Sequence, residues 1–244
     1  MKRPEISIVI LTWNRAPFLK IGLQNLFGAI SPDITHEIII MDNCSDDNTP
    51  QILSEYSHRT DVKIIRNKSN LRLNAYKRLL PLAVGRIIIE IDDDVLSFPT
   101  GFDRIFIDYF KAFPDYGYLA LNVIQNEKTN GAKPSIECYR DDVRGNMVVE
   151  EGPTGGWCAA FHRTHYRLFR PLQLMLNFSM ANGEDGLLSA FFTRILRKRA
   201  GIIKSASCLH ATGVVFAQEF GLMKREYEKY AKGGRPDLAV KFLS

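Results

Sequence analysis

Apolar residues follow two rhythms in the first hundred positions. Short continuous runs, "EISIVIL" (5–11), "HEIIIM" (36–41), "VKIIR" (62–66) and "RIIIEI" (86–91), alternate with stretches of helical spacing. Leu19, Leu23, Leu26, Phe27 and Ile30 fall on one side of a helix over 17–30. Thr49 is expected to cap a helix whose first residue is Pro50. Residues 70–80 read as a helix that Pro81 stops. Strands that are apolar at every position are those covered on both faces, the habit of parallel sheets. Strand and helix alternating about every 25–30 residues predict right-handed crossovers and an α/β layer fold.

Beyond residue 100 the rhythm loosens. A helix is predicted over 101–113, a strand over 117–125, and a strand pair at 134–140 and 146–150. "TGGWCAAFH" (154–162) is a glycine turn running into a strand. Leu187, Leu188, Phe191, Phe192 and Ile195 predict a helix over 184–200. A short strand at 202–206 then leads to His210, and one amphipathic helix over 218–232 precedes a loose end. No repeat, low-complexity tract or linker interrupts the 244 residues.

Composition narrows the class. Apolar residues make up 45% and charged residues 24%, the balance of a globular protein whose core needs no disulfide or structural metal. Cys44, Cys138, Cys158 and Cys208 lack C-x-x-C spacing and read as reduced thiols of a cytoplasmic protein. "MKRPEISIVILTWNR" has no small-residue cleavage site and is not read as a signal peptide. No stretch reaches the roughly 18 apolar residues of a membrane span. The net charge of +5 favours a polyanionic ligand or contact with an anionic membrane surface. The excess is too small and dispersed for nucleic acid, and RNA-binding aromatic signatures and zinc-finger spacings are missing.

The strand ends carry the chemistry, because open α/β sheets bind ligands beyond the carboxyl ends of their strands. The four runs are followed by "TWNR" (12–15), "DNCSDD" (42–47), "NKSN" (67–70) and "DDD" (92–94). Turns are polar in any protein, which accounts for "NKSN". It accounts poorly for three carboxylates on an apolar strand. Neither G-x-G-x-x-G nor a G-x-x-x-x-G-K-[ST] loop is present, so phosphates need another counter-charge. A divalent cation among clustered carboxylates supplies one. On an extended chain Asp92 and Asp94 share a side and Asp93 points away, which supports Asp92 and Asp94 as the working pair of a metal site; a solvated turn is the other reading of the triplet.

Five motifs in order resemble glycosyltransferase family 2, the inverting nucleotide-sugar transferases of GT-A fold. They are "SIVILTWNR", "HEIIIMDNCSDDNT", "IIIEIDDDV", "GPTGGWCAAFHR" and "NGEDGLLSAFFTRILRKRAGIIKSASCLHATG", and the resemblance covers roughly residues 5–213. It implies a Rossmann-like, mostly parallel central sheet flanked by helices. It also implies a GT-A domain over 1–215, with a nucleotide-binding half to about 95 and an acceptor-binding half from 96, then a helical tail over 216–244. Thr12, Asn14 and Arg15 would belong to the nucleotide-lining first loop. Asp42 matches the aspartate that accepts a hydrogen bond from the base, uracil in the commonest donors. Asn67 or Arg72 would touch base or diphosphate. Asp92 matches the residue near the ribose and metal, Asp94 the metal ligand, and Asp93 joins the nucleotide side. Asp185 matches the catalytic base, with Glu184 supporting it or contacting the acceptor. His210 matches a late histidine that in some members contacts metal or diphosphate. Gly155, Gly156 and Trp157 fall in the acceptor-side segment. The implied cofactor is Mn²⁺ or Mg²⁺, the donor most often a UDP-sugar, and the acceptor a hydroxyl of a glycan or lipid-linked glycan. "DNCSDD" lacks the glycine common in that loop, which leaves the base open.

Plainer readings stand beside these. Acids opening a helix also favour its dipole. Trp157 either stacks on a sugar or simply packs, His162 and His165 are structural, and "RILRKR" (194–199) reads as a solvated helix face or a membrane-surface patch. Two other functions compete. A sugar nucleotidyltransferase would carry a glycine-rich basic loop after the first strand, and "LTWNRAPF" has none. A non-catalytic nucleotide-sugar or glycan-binding module would have no use for the acids at 92, 94 and 185.

Overall fold

The structure, a computed structural model, describes residues 3–129 and 133–243. The four apolar runs form β1 (Ile6–Thr12), β2 (His36–Asp42), β3 (Val62–Arg66) and β4 (Ile87–Asp92). Between them lie α1 (Ala16–Ala29), α2 (Thr49–Ser54) and α3 (Tyr76–Leu79). The strands pair in parallel in the order β3-β2-β1-β4. The consecutive residues Ile38, Ile39 and Ile40 are all fully buried, and successive side chains of a strand point to opposite faces. Both faces of this half of the sheet are therefore covered.

The second half contains β5 (Val95–Ser97), α4 (Phe102–Ala112), β6 (Tyr116–Val123), β7 (Arg140–Arg144), β8 (Met147–Glu151) and β9 (Cys158–His162). α5 (Arg163–Met175), α6 (Glu184–Ala190), β10 (Arg199–His210), α7 (Val214–Glu219), α8 (Met223–Lys232) and α9 (Pro236–Ala239) follow. β9 is antiparallel to both β4 and β6, and β10 is parallel to β6. So β3, β2, β1, β4, β6 and β10 all run one way with β9 reversed among them, a mostly parallel mixed sheet. β8 and β7 extend it beyond β10, and β5 pairs with the end of β10.

Register fixes where the polar strand ends go. Thr12 lies opposite Asp42, Asp42 opposite Arg66, and Leu11 opposite Asp92. The ends of β1, β2 and β3 thus reach one edge at a single level, and Asp92 reaches it one residue short.

Several expectations need correction, each for a local reason. Thr49 does not cap α2. Asn48 holds that position without a side-chain bond, while Asp47 accepts the Thr49 N–H at 2.9 Å and the Ala16 N–H at 3.0 Å. Asp47 thereby ties the starts of two helices together. The helix expected over 70–80 breaks into a 3-10 turn at Arg72–Ala75, α3, and a second 3-10 turn at Leu80–Leu82 that contains Pro81. Arg72 takes a left-handed φ of 52°, and Asn43 accepts the Leu71 N–H and donates to the Arg72 carbonyl, so the loop is pinned before a helix can start.

The helix expected over 184–200 ends in a π-turn at Phe191–Ile195. Arg197 is left-handed, with φ 54°, and Arg199 already belongs to β10, tied to Glu151 at 2.5 Å and Asp115 at 3.2 Å. The strand expected at 134–140 lies at Arg140–Arg144, after a 3-10 turn at Ile136–Cys138. α5 was not anticipated. Its internal Pro171 disguises a helix that buries Tyr166, Phe169 and Gln173. In place of one helix over 218–232 there are two, α7 and α8, parted near Gly221 at φ 68°. Its end is not loose: Phe242 joins a second apolar cluster with Phe18, Leu96, Phe216 and Leu222.

Candidate functional site

A cavity of about 560 Å³ opens at the polar sheet edge, its wall including Thr12, Trp13, Arg72, Asp92, His210 and Lys229. β4 ends at Asp92 and the chain turns through Asp93 and Asp94 before β5. Asp92 and Asp94 therefore converge through a turn, not by alternation along an extended strand as expected. The pairing of β5 with β10 sets His210 opposite Val95, next to Asp94. His210 Nε2 lies 3.1 Å from Asp94 Oδ1 and 3.6 Å from Asp92 Oδ2. One ligand atom from each of the three residues lies within 4.8 Å of the others. Two carboxylates and an imidazole make an oxygen-rich donor set that suits Mn²⁺ or Mg²⁺.

The charges around this trio are strongly shifted. Burial and the neighbouring Asp94 push the Asp92 carboxyl up to about 6. With 38% of its side chain open, solvent moderates that push. Burial also acts to raise Asp94, but Arg15 and His210 outweigh it and hold its carboxyl well below the usual range. Burial acts against a proton on His210, yet Asp94 and Asp92 retain it and raise its pKa. A divalent cation in place of that proton would satisfy the same carboxylates.

Asp93 has a separate task. Its Oδ1 accepts from Arg15 Nη1 at 2.9 Å and its Oδ2 from the Trp13 N–H at 3.4 Å. It holds the first loop onto the acidic turn. Arg15 is almost fully buried and bridges Asp93, Asp94 and Glu226. Although it borders the cavity, its guanidinium is spent on carboxylates of the chain itself.

The loops after β1, β2 and β3 are cross-linked by amides. Asn14, left-handed at φ 50°, donates its N–H to Ser45 at 2.9 Å, and its side-chain oxygen accepts the Asp46 N–H at 2.9 Å. It joins two loops and is not part of the cavity wall. Asn67 is buried and donates to Asn43 at 3.0 Å. Asn43, which the sequence reading passed over, borders the cavity and organises the turn that presents Arg72. Thr12 lies in the wall, and its buried hydroxyl has no hydrogen-bond partner among the described residues. Asp42 accepts the Ser45 N–H at 2.9 Å, and its other oxygen lies 3.3 Å from Arg66.

Asp185 and Glu184 open α6 and lie outside the cavity wall. Asp185 is half-buried. It accepts the Gly156 N–H at 3.0 Å and the Gly186 N–H at 2.7 Å. A Cβ on Gly156 would stand 3.0 Å from the Asp185 Cβ, and one on Gly183 would stand 2.6 Å from its Oδ1. These glycines make room for the carboxylate. Trp157 packs: it is 5% exposed, donates its indole N–H to Leu121 at 2.8 Å, and presents no open stacking face. A Cβ on Gly155 would meet the Trp157 ring at 2.4 Å.

Glu90 was also missed. It is fully buried in β4, and neither carboxylate oxygen has a hydrogen-bond partner among the described residues. Burial, then Asp185 and Asp92, raise its pKa well above the ordinary value. Burial and Glu90 do the same to Glu184. The signal was visible as a lone acid inside "IIIEI".

The tail closes the cavity. Arg225 donates to the Trp13 carbonyl at 3.0 Å and lies over the Trp13 ring, and Lys229 borders the cavity. Neither was anticipated, because a surface-helix pattern conceals basic residues that point into a site.

A profile of glycosyl transferase family 2 matches residues 7–169, about two thirds of the chain. The chain belongs to glycosyl transferase family 2. Asp185, His210 and the tail lie beyond the matched residues. Among curated relatives, a beta-monoglucosyldiacylglycerol synthase of Trichormus variabilis is 30% identical over 95 residues, 37% of this chain and 20% of that enzyme. The chain thus matches only about a fifth of that relative's length. Among solved structures, the mannosyltransferase PcManGT of Pyrobaculum calidifontis, in complex with GDP-Man and Mn²⁺, superposes with a TM-score of 0.62 at 18% identity, covering 96% of this chain and 65% of that one. Residues 1–349 of TarS from S. aureus, in complex with UDP, give a TM-score of 0.63 at 14% identity, covering 98% and 70%. These neighbours are GT-A transferases and establish the fold; membership of the family makes the chain a glycosyltransferase.

Proposed function

We propose that this family 2 glycosyltransferase uses a divalent cation and inverts the sugar it transfers from a nucleoside-diphosphate donor, most readily a UDP-sugar, to a hydroxyl of a glycan or lipid-linked acceptor. The observation that carries this reading is the trio Asp92, Asp94 and His210 on a cavity large enough for a nucleotide. The complexes of neighbours with UDP, and with GDP-Man and Mn²⁺, support it.

Asp92, Asp94 and His210 would hold Mn²⁺ or Mg²⁺, which when bound neutralises charge developing on the leaving diphosphate. Arg15 holds Asp94 Oδ2, leaving Oδ1 beside His210. Lys229 and Arg72 add positive charge along the wall. Thr12 and Asp42 would line the base and ribose. Asp185 would take the proton of the acceptor hydroxyl. Its two backbone hydrogen bonds hold it in place for that role.

Hydrolysis and transfer with UDP-, GDP- and dTDP-sugars, with Mn²⁺ and with EDTA, test the reading. Cation-dependent turnover of one donor is expected; tight nucleotide binding without turnover of any donor would instead indicate a binding module. Asp94→Ala should weaken Mn²⁺-dependent binding of the nucleoside diphosphate by at least roughly tenfold. Unchanged affinity in calorimetry would sink the metal assignment.

A further inference from the structure

α5 runs from the edge of the sheet opposite the cavity back to the cavity mouth. It begins beside a hollow of about 500 Å³ lined by Arg3, Arg86, Arg163 and Arg167 together with Glu5, which pairs with Arg86, and Asp33, and the residues just after it, Asn177 to Met180, border the donor cavity. One side of the helix is anchored by Tyr166, Phe169 and Gln173. The other is apolar and open: Leu168 is 58% exposed, Leu174 62% and Met175 85%. Exposed Arg167 and Arg170 flank these residues. From 163 to 183 the sequence contains no acid at all.

The neighbouring π-turn continues the same character. It packs on α5 through Phe191 against Phe169 and Phe192 against His165, and exposes Arg194, Ile195 and Arg197. A solvated helix face would mix both signs of charge and bury its leucines. A surface that sets arginines around exposed leucines matches the interfacial helices that lie in the headgroup layer, with arginine stems extended toward phosphates. The hollow at the start of α5, where four arginines face Glu5 and Asp33, keeps a positive excess that suits a phosphate head group, and burial together with Arg3, Arg167 and Arg170 lowers the pKa of Arg163 there.

We propose that the open face of α5, with the adjoining π-turn, docks the protein on an anionic phospholipid bilayer. Leu168, Leu172 and Met175 enter the headgroup boundary, and Arg167, Arg170 and Arg194 meet lipid phosphates. Because the C-terminal end of the helix adjoins the donor cavity, docking sets that cavity beside the lipid surface. This last consequence rests on the transferase reading; the docking itself does not.

The test is cosedimentation of the full chain with vesicles of phosphatidylcholine alone and of phosphatidylcholine with phosphatidylglycerol. Binding to the anionic vesicles is expected to exceed binding to neutral ones by at least roughly tenfold and to weaken in high salt. Arg167→Glu/Arg170→Glu and, separately, Leu168→Glu/Met175→Glu should each lower it at least roughly tenfold. These side chains are exposed, so circular dichroism and donor hydrolysis without vesicles should stay at the wild-type level. Absence of binding to anionic vesicles overturns the proposal, as does unchanged binding of both variants. A wild-type dimer in sedimentation analysis that either variant dissolves would assign the face to a second copy of the chain instead. Donor turnover, measured without lipid, reports separately on the transferase reading.

Discussion

Asp185→Asn is expected to slow sugar transfer by about 10²–10⁴-fold while leaving nucleoside-diphosphate affinity within about twofold. Asparagine has nearly the shape of aspartate and can still accept a backbone N–H through its amide oxygen. The Gly156 or Gly186 N–H can therefore keep the side chain in place while the basic oxygen is lost. Asp185 also lies outside the wall of the donor cavity, so the donor should not register the change. Steady-state transfer and calorimetric titration with the nucleoside diphosphate read the two halves of this expectation. Transfer within tenfold of wild type would remove Asp185 from the role of base.

Glu226→Ala is expected to destabilise the fold by about 3–5 kcal/mol, the range for removing one partner of a buried charge network. Glu226 Oε1 accepts from Arg15 Nη2 at 2.7 Å and Arg225 Nη1 at 2.6 Å. Alanine leaves two buried guanidiniums short of a carboxylate, and Arg15 keeps only Asp93 and Asp94. Denaturant titration measures the change, and a loss below about 1 kcal/mol would show the network to be dispensable.

The same residue gives a pH dependence with a definite sign. Burial alone would raise the Glu226 carboxyl, but Arg15, Lys229 and Arg225 hold it at about 2, against an ordinary 4.5. A depressed carboxyl contributes stability that is complete above its unfolded pKa and is lost as pH falls toward the folded one. Wild type should therefore lose this increment between about pH 4.5 and 2, and Glu226→Gln should lack that part of the acid transition. Equal acid slopes for the two proteins would contradict the assignment.

Much of this molecule was legible because burial writes directly into sequence. Four Ile/Val runs became four parallel strands, β1, β2 and β4 almost wholly buried and β3 at the partly exposed edge. Their polar ends marked the cavity because β1, β2 and β3 end level with one another and β4 ends one residue short of them. Less legible was anything that depended on a long-range partner. Asp93, expected on the nucleotide side, holds Arg15 and the Trp13 N–H, two partners no local pattern reveals. Trp157 was as consistent with a sugar platform as with a packed ring, since only its bond to Leu121 decides. α5 was hidden by Pro171, and the exposed leucines that make it interesting also spoil the one-sided apolar pattern by which helices are recognised. Glu90 was the missed opportunity. A carboxylate in the middle of a buried strand is costly without partners, and it pointed to the acidic group around α6.

Arg15 and Glu226 are 211 residues apart in sequence. That separation has a consequence for how the protein comes into being. A chain emerging from the ribosome presents its N-terminal half first. The four parallel strands can therefore assemble early, with the acidic turn of Asp92 to Asp94 already formed at their edge. Arg15 would then hold Asp93 and Asp94 without its third partner, and Trp13 would lack the cover of Arg225, until α8 is synthesised. The helix that completes the loop after β1 is thus made some 211 residues after it, so the site matures only once α8 has followed the sheet out.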